Sequence, residues 1–254
     1  MKLDFTLDQG NEAKACLGLI VLQADETLEN EFRHAIRDFD VFLLHSRIPS
    51  HPSVTKDTLI KMAEDMPTAA GLLPQSTRFD AMAYACTSGT TIIGPEQVAA
   101  KIHTQHPGVP VTEPITAAVA ACRALEIKRV GFLTPYVPEV SNAMRALLEE
   151  YGLEIVSFGS FEQDQEKVVS KISEVSTLDA IVRLGEKPEC EGVFVSCTNL
   201  RTFGILEEAE QILGKPVFSS NLALVWHMLR LAGVKGQGTA PGKLFAKDLS
   251  SALE

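Results

Sequence analysis

No stretch of the chain approaches the ~18 consecutive apolar residues that a membrane span needs. The first residues, MKLDFTLDQGNEAKA, also lack the apolar core of a secretory signal. No membrane association and a cytoplasmic location are the expectations that follow. Basic residues are the minority, 23 Lys and Arg against 33 Asp and Glu, for a formal net charge of −10. Without a Lys/Arg block or aromatic-basic interleaving, nucleic acid is not an expected partner. No CxxC occurs, and the cysteine count is odd at five (Cys16, Cys86, Cys122, Cys190 and Cys197). A disulfide framework and a structural zinc site are therefore not expected, nor is any other metal. No GxGxxG follows a strand and no P-loop is present, so nucleotide cofactors fail on motif grounds. GxSxG is missing too: Ser88 stands in CTSGT, which is not a hydrolase nucleophile elbow.

What is present is ordinary globular material, 45% apolar and 22% charged. Single cores stop growing near ~250–300 residues, so 254 residues suggest two domains of about 125 each. Short β-like runs alternate with helix-like stretches. ACLGLIVLQ (15–23), DVFLLHSR (40–47) and FDAMAYAC (79–86) read as strands, separated by helices over 25–36 and 54–73, the latter interrupted near Pro67. A helix at 94–106, a short strand in GVPVTEP and a helix at 115–126 follow. RVGFLTPY (129–136), LEIVSF (153–158), GVFVSC (192–197) and KPVFSS (215–220) repeat the pattern, with NLALVWHMLRLAG (221–233) as the closing helix. Alternating βα order with continuous apolar strands predicts α/β architecture, parallel sheets covered by helices on both faces.

The two halves also match each other. Gly18 precedes Cys86 by nearly the distance at which Gly131 precedes Cys197, and each thiol ends a strand. Behind each come a helix, a Pro-Val pair (110–111 and 216–217) and another helix. This is the pattern of an internal duplication, two flavodoxin-like domains related by a pseudo-twofold axis with a cleft between them. Ligands of open parallel sheets bind beyond the carboxyl ends of the strands, so Cys86 and Cys197 are expected on opposite sides of that cleft. With the last helix crossing back, the predicted domains are 1–113 plus 222–254, carrying Cys86, and 114–221, carrying Cys197.

Each thiol is followed by Thr and a small polar residue, Thr87-Ser88-Gly89 and Thr198-Asn199. Backbone amides at a strand-to-helix turn can cradle a carboxylate, and the same helix N-terminus lowers a cysteine pKa below ~8.5. Two such thiols around a carboxylic acid can do three things. One can take a proton from the α-carbon while the other returns it to the opposite face; one can add to a double bond and allow rotation; or one can reprotonate the enediolate left by decarboxylation. Each requires donors for the developing charge, which Thr87, Ser88, Thr198, Asn199 and their amides can supply.

GLIVLQADETLENEF, YACTSGTT, LTPYVPEV, VSCTNLRT and PVFSSNLALVWHML together resemble the aspartate/glutamate racemase superfamily, in its maleate isomerase and arylmalonate decarboxylase branch. Within it the chain is most similar to the ectoine-utilisation protein A group, which shares CTSGT, SCTNLRT and SSNxALxWH. The resemblance covers nearly the whole chain and implies a cofactor-independent enzyme of a small carboxylate or amino acid. It implies Cys86 as the nucleophile, Cys197 as the partner thiol and Tyr136 as a hydroxyl donor to a substrate carboxylate, or both thiols as an acid/base pair in a racemase. Where maleate isomerases carry a carboxylate-binding Asn after the first strand, this sequence has Asp25. Two readings stay open for it, a cap for the following helix and a partner for a substrate ammonium. A second family Asn aligns with Gln165.

Cys16 and Cys122 read as packing residues and Cys190 is assigned no role. His103 and His106 have helical i, i+3 spacing but no third ligand, and read as a solvated face. His227 is expected to satisfy a hydrogen bond beside Trp226, and Ser219-Ser220-Asn221 to cap the last helix. Tyr136 is either a packed aromatic or a site residue. The leading expectation is an isomerase or racemase that forms a dimer or higher homo-oligomer. The alternatives are a decarboxylase with one essential thiol, and an inactive small-carboxylate binding or accessory protein.

Overall fold

Apolar runs become strands and the polar stretches between them amphipathic helices in the computed structural model, which describes residues 1–8, 10 and 12–249. The first half runs β1 (Ala15–Leu22), α1 (Leu28–Ile36), β2 (Val41–Ile48), α2 (Lys56–Gly71), β3 (Ala81–Ala85), α3 (Thr87–Ile93), α4 (Pro95–His103) and β4 (Val111–Thr112). Helix α5 (Pro114–Ala124) leads to β5 (Arg129–Tyr136), α6 (Pro138–Glu150), β6 (Glu154–Gln163), α7 (Glu166–Val169), α8 (Glu174–Gly185), β7 (Gly192–Val195), α9 (Leu206–Leu213), β8 (Val217–Ser219) and α10 (Ser220–Leu231). Among the described residues no helix is long and apolar enough to cross a membrane.

Two parallel four-stranded sheets result, in the orders β2-β1-β3-β4 and β6-β5-β7-β8. The same order in each half is what an internal duplication produces. Inner strands β3 and β7 are buried along their whole length, whereas edge strand β2 is only partly covered. In the second sheet one phenylalanine per strand stands in register: Phe158, Phe132, Phe194 and Phe218, with centroids 5.8, 5.7 and 5.3 Å apart. These stacked rings stabilise the sheet beyond simple burial. The first sheet carries smaller residues in a matching row, Leu19, Ala83 and Thr112, where α10 packs on β3 and β4. Helix α10 also lies against α5 and α1, and its His227 Nδ1 is 2.7 Å from the Thr112 hydroxyl. Burial pushes that imidazole down to about 4, so it is neutral at physiological pH.

Pro67 does not interrupt α2, contrary to the sequence expectation. A proline removes one helical hydrogen bond. Here the buried face of Leu59, Met62, Met66, Ala69 and Ala70 carries the helix past it, and a Thr55–Thr58 capping box fixes its start. Beyond α10, Arg230 donates to the carbonyls of Val234, Gly236, Phe245 and Lys247 and draws the tail back onto the helix.

Candidate functional site

Strand β3 delivers Cys86 to the N-cap of α3, in an extended conformation. The Gly89 amide donates to its sulfur at 3.1 Å, and the Ser88 hydroxyl lies 3.6 Å away. Gly89 is required for that approach. A Cβ there would collide with the Tyr84 hydroxyl and reach 2.9 Å from the Cys86 sulfur.

Cys197 follows β7 on a different backbone. Its φ of 109° is in the region that favours glycine, and strain of this kind persists only where the surroundings enforce it. The enforcement is visible: the Cys197 amide donates to Ser220 Oγ at 3.1 Å, and that hydroxyl is bonded in turn to Thr87 Oγ1 at 2.9 Å. The helix expected behind the second thiol is α9, but it does not begin at the thiol. Residues 198–205 form turns and α9 starts only at Leu206, because the segment is tied sideways to the other half of the molecule. Its sulfur instead receives the Asn199 amide at 3.3 Å and lies 3.1 Å from Tyr136 Oη.

Tyr136, at the end of β5, donates to Glu166 Oε1 at 2.8 Å, so in its contact with Cys197 the thiol is the donor. The second carboxylate oxygen of Glu166 accepts from Asn199 Nδ2 at 2.9 Å. Asn199 is also a bridge between halves. It donates to the Ala24 carbonyl, accepts from the Glu26 amide at 2.9 Å, and its carbonyl accepts from the Thr27 hydroxyl. Thr198 donates weakly to the Ala85 carbonyl. Asp25 accepts the Thr27 and Leu28 amides through Oδ1, capping the entry to α1, while Oδ2 has no partner. The cap reading of Asp25 is thus correct for one oxygen, and the other is free for a ligand. One helical turn on, Glu31 accepts from the Thr202 and Phe203 amides and from Asn221 Nδ2, a further stitch across the cleft.

The cluster is closed. Cys86 and Cys197 are 3% and 2% exposed. The loop after β2 crosses the cleft, with Ser53 bridged to Gln165, the Val54 amide on the Asp164 carbonyl and the Glu166 amide on the Pro52 carbonyl. Beneath it, between Ser88, Glu166, Met62 and the loop, a cavity of only about 10 Å³ remains, about enough for one water. Substrate entry therefore requires this loop to part from residues 164–166.

Closure reverses the expected acidity of the thiols. Burial pushes Cys86 up to about 11, against the pull of the Ser88 hydroxyl and the Gly89 amide, and the Glu166 carboxylate pushes the same way. Burial and then the Glu166 charge push Cys197 well above the ordinary thiol range. The helix N-terminus at Cys86 is real, but desolvation outweighs it, so both thiols are protonated in the closed site. Burial also raises Glu166, countered by Asn199 and Tyr136 and reinforced by Asp25. Asp25 is likewise raised by burial, countered by the Leu28 and Thr27 amides, the Thr198 hydroxyl and Arg47.

Of the residues singled out in the sequence, Cys197, Tyr136 and Asn199 join Glu166 in one buried hydrogen-bonded group, Cys86 and Ser88 meet that group across the small cavity that Ser88 and Glu166 line, and Asp25 is buried beside it. Thr87 and Thr198 lie beside it with their hydroxyls committed to Ser220 and Ala85. Ser219 caps α10, accepting the Leu222 amide, while Ser220 and Asn221 go beyond capping and hold the Cys197 segment. Gln165 is not in the cluster; its amide reaches Ser53 on the crossing loop. The next residue, Glu166, takes the central place, which the loosely patterned stretch around it did not disclose. Cys190 Sγ meets the Gly192 carbonyl, and Cys122 is enclosed within α5. His103 and His106 each engage a backbone carbonyl, of Val109 and Ala70; His103 is partly buried and His106 buried, not the solvated face expected.

Residues 80–245 match the arylmalonate decarboxylase family. An arylmalonate decarboxylase from Bordetella bronchiseptica is 33% identical over 53% of this chain, a match spanning 56% of that relative's length. A maleate isomerase from Geobacillus stearothermophilus is 24% identical over 91% of this chain and 96% of its own. The fold is shared with a solved Nocardia farcinica maleate cis-trans isomerase bearing a covalently bound succinylcysteine intermediate, with a TM-score of 0.80 and 22% identity over 91% of this chain and 98% of that one. Two parallel sheets in matching order, a thiol at the end of an inner strand of each, and a family match across both thiols have one reading: the chain belongs to the arylmalonate decarboxylase family.

Proposed function

We propose that the protein is a cofactor-independent isomerase or racemase of a small carboxylic acid, acting through Cys86 and Cys197. The observation that carries this reading is that buried thiols from both halves flank one small cavity, lined by Ser88, which is hydrogen-bonded to Cys86, and by Glu166, which is hydrogen-bonded through Tyr136 to Cys197. A single-thiol chemistry has no need of the second. Cys86, with an amide on its sulfur, is suited to carry negative charge and serves as base or nucleophile. Cys197, whose proton is oriented toward Tyr136, serves as the acid. In racemisation Cys86, its own proton lost to solvent while the site is open to the ligand, takes the α-proton as the thiolate, and Cys197 supplies its proton to the opposite face. In cis–trans isomerisation the Cys86 thiolate adds to one olefinic carbon, the π pair of the double bond moves onto the neighbouring carbon and its carboxylate, rotation about the resulting single bond follows, and the returning pair re-forms the double bond and expels the thiolate. Asp25, Ser88, Tyr136 and Asn199 contact the substrate, while Thr87 and Thr198 hold the two thiol-bearing segments together. The similarity to the ectoine-utilisation group supports a role in ectoine breakdown.

Cys86→Ser and Cys197→Ser, each still folded, are expected to abolish exchange of the substrate α-proton with solvent deuterium and the interconversion of isomers, followed by NMR. Full activity in either variant overturns the proposal. The 33% identity to an arylmalonate decarboxylase supports a second reading, decarboxylation with one essential thiol. CO₂ release with one solvent deuteron incorporated, dependent on a single cysteine, would establish it.

A further inference from the structure

Two buried carboxylates, Asp25 and Glu166, sit in the closed site beside the thiols, near enough for the charge on Asp25 to act on Glu166. Neither side chain is paired with a cation: among the described residues no Lys, Arg or His forms an ion pair with either. Arg47, whose charge favours the ionised form of Asp25, commits its guanidinium to the carbonyls of Leu22, Gln23 and Asp25 and to Glu29. Glu166 is held by two donors, Tyr136 and Asn199. Asp25 has a single oxygen occupied by amides, and its Oδ2, in a residue that is 4% exposed, makes no hydrogen bond; the nearby Thr198 hydroxyl, which favours the charged form of Asp25, is directed to the Ala85 carbonyl. Buried charge without a partner is strongly unfavourable, and buried acceptors are normally satisfied. A donor brought by the ligand would satisfy the free oxygen, and a positively charged one would also allow both acids to be ionised.

We propose that the ligand places a cationic nitrogen, an ammonium, between Asp25 Oδ2 and Glu166, which makes the substrate an amino acid rather than a plain dicarboxylate. An ammonium carries three donors and no acceptor. One meets the free Asp25 oxygen and another meets Glu166, whose oxygens each retain a lone pair. A second carboxylate at this position would face two acids. The placement of the ammonium rests on the proposed function only in setting the reacting carbon between Cys86 and Cys197; the cation pocket stands on Asp25 and Glu166 alone. The ammonium is unchanged by the reaction, and its positive charge stabilises a carbanion formed beside it.

Binding, not turnover, tests this. Succinate, aspartate of either hand and 2,4-diaminobutyrate are titrated by calorimetry into the wild-type protein and into Asp25→Asn, Glu166→Gln and the double variant. Both substitutions preserve shape, and in Asp25→Asn the side-chain carbonyl oxygen can still accept the α1 amides. The expected result is that an ammonium-bearing probe binds the wild type in preference to succinate. The double variant loses about a hundredfold in that affinity and binds succinate at least roughly tenfold better than the wild type does. Tighter wild-type binding of succinate than of every ammonium probe overturns the proposal. So does an ammonium-probe affinity unchanged in the double variant, or no saturable binding of any ammonium probe. Because the readout is affinity, active Cys86→Ser and Cys197→Ser variants would overturn the two-thiol chemistry and leave this result standing. Conversely, thiol-dependent isomerisation of maleate with no amino-acid binding would overturn this proposal alone.

Discussion

Tyr136 Oη stands 3.1 Å from Cys197 Sγ while its proton is directed to Glu166. The Cys197 thiol is therefore oriented as a donor, and burial, reinforced by the negative charge of Glu166, keeps it protonated. Tyr136→Phe removes the acceptor and is expected to reduce turnover by about 10²-fold, the lower range for a positioned acid–base group. Glu166→Gln removes a charge that raises both thiols, so thiolate forms at lower pH and the alkaline limb of the pH–rate profile moves to lower pH. A profile that stays in place in Glu166→Gln would separate this carboxylate from the thiols.

Cys86 is raised to about 11 chiefly by burial, so at neutral pH it is a protonated, enclosed thiol. Alkylation by iodoacetamide, which consumes thiolate, is expected to be slow at pH 7 and to rise close to tenfold per pH unit up to about pH 10. Because the Ser53–Gln165 contact closes the cleft, Gln165→Ala is expected to increase labelling of Cys86 at every pH without changing the dependence. Peptide mapping by mass spectrometry reads both effects at Cys86, and fast labelling at pH 7 in the wild type would contradict the closed site.

Strands β1, β3, β5 and β7 were legible because an unbroken apolar run bounded by polar turns is a local signal, and Cys86 and Cys197 because the two halves repeat. Glu166 was not, since nothing local marks it. It opens a helix of four residues, and its position is set by the Ser53 loop, more than a hundred residues away in sequence. The acidity of the thiols misled for a related reason: the helix N-terminus at Cys86 can be read in CTSGT, but the desolvation that outweighs it comes from tertiary packing, with Met62 and the loop after β2 meeting Glu166 over the site. At Cys197 the turns that separate the thiol from the start of α9 follow from cross-cleft bonds through Asn199 and Glu31, again invisible in a single stretch of chain. Pro67 shows the same limit inside a helix, where tertiary burial overrode a local breaker.

Gly89→Ala tests how tightly the first thiol is seated. The new methyl would clash with the Tyr84 hydroxyl and crowd the Cys86 sulfur, although alanine suits a helix better than glycine. Overpacking is expected to win, lowering stability by about 1–3 kcal/mol in urea unfolding and displacing Cys86 from the amide on its sulfur. Unchanged stability with unchanged Cys86 labelling would mean that Tyr84 yields at no cost.

Glu31 makes the stitch between the halves pH-sensitive. Burial raises it from 4.5 to about 7, in spite of the Thr202 and Phe203 amides, Asn221 and the Thr202 hydroxyl, all of which favour the charged form. The folded state therefore holds its proton more tightly than the unfolded chain does. The stability this contributes is complete below about pH 4.5 and is lost as pH rises through about 7, a change of about 3 kcal/mol at most. Asp25, Glu113, Glu166 and Glu210, all raised chiefly by burial, act with the same sign. Urea unfolding at intervals from pH 4.5 to 7.5 is expected to show stability falling with rising pH. Glu31→Gln cannot titrate. It is expected to be less stable at low pH, because its amide group meets donors where the carboxyl met them, but to show a shallower slope across the window. Parallel slopes in the two proteins would place the titration elsewhere and return the Glu31 stitch to a pH-independent role.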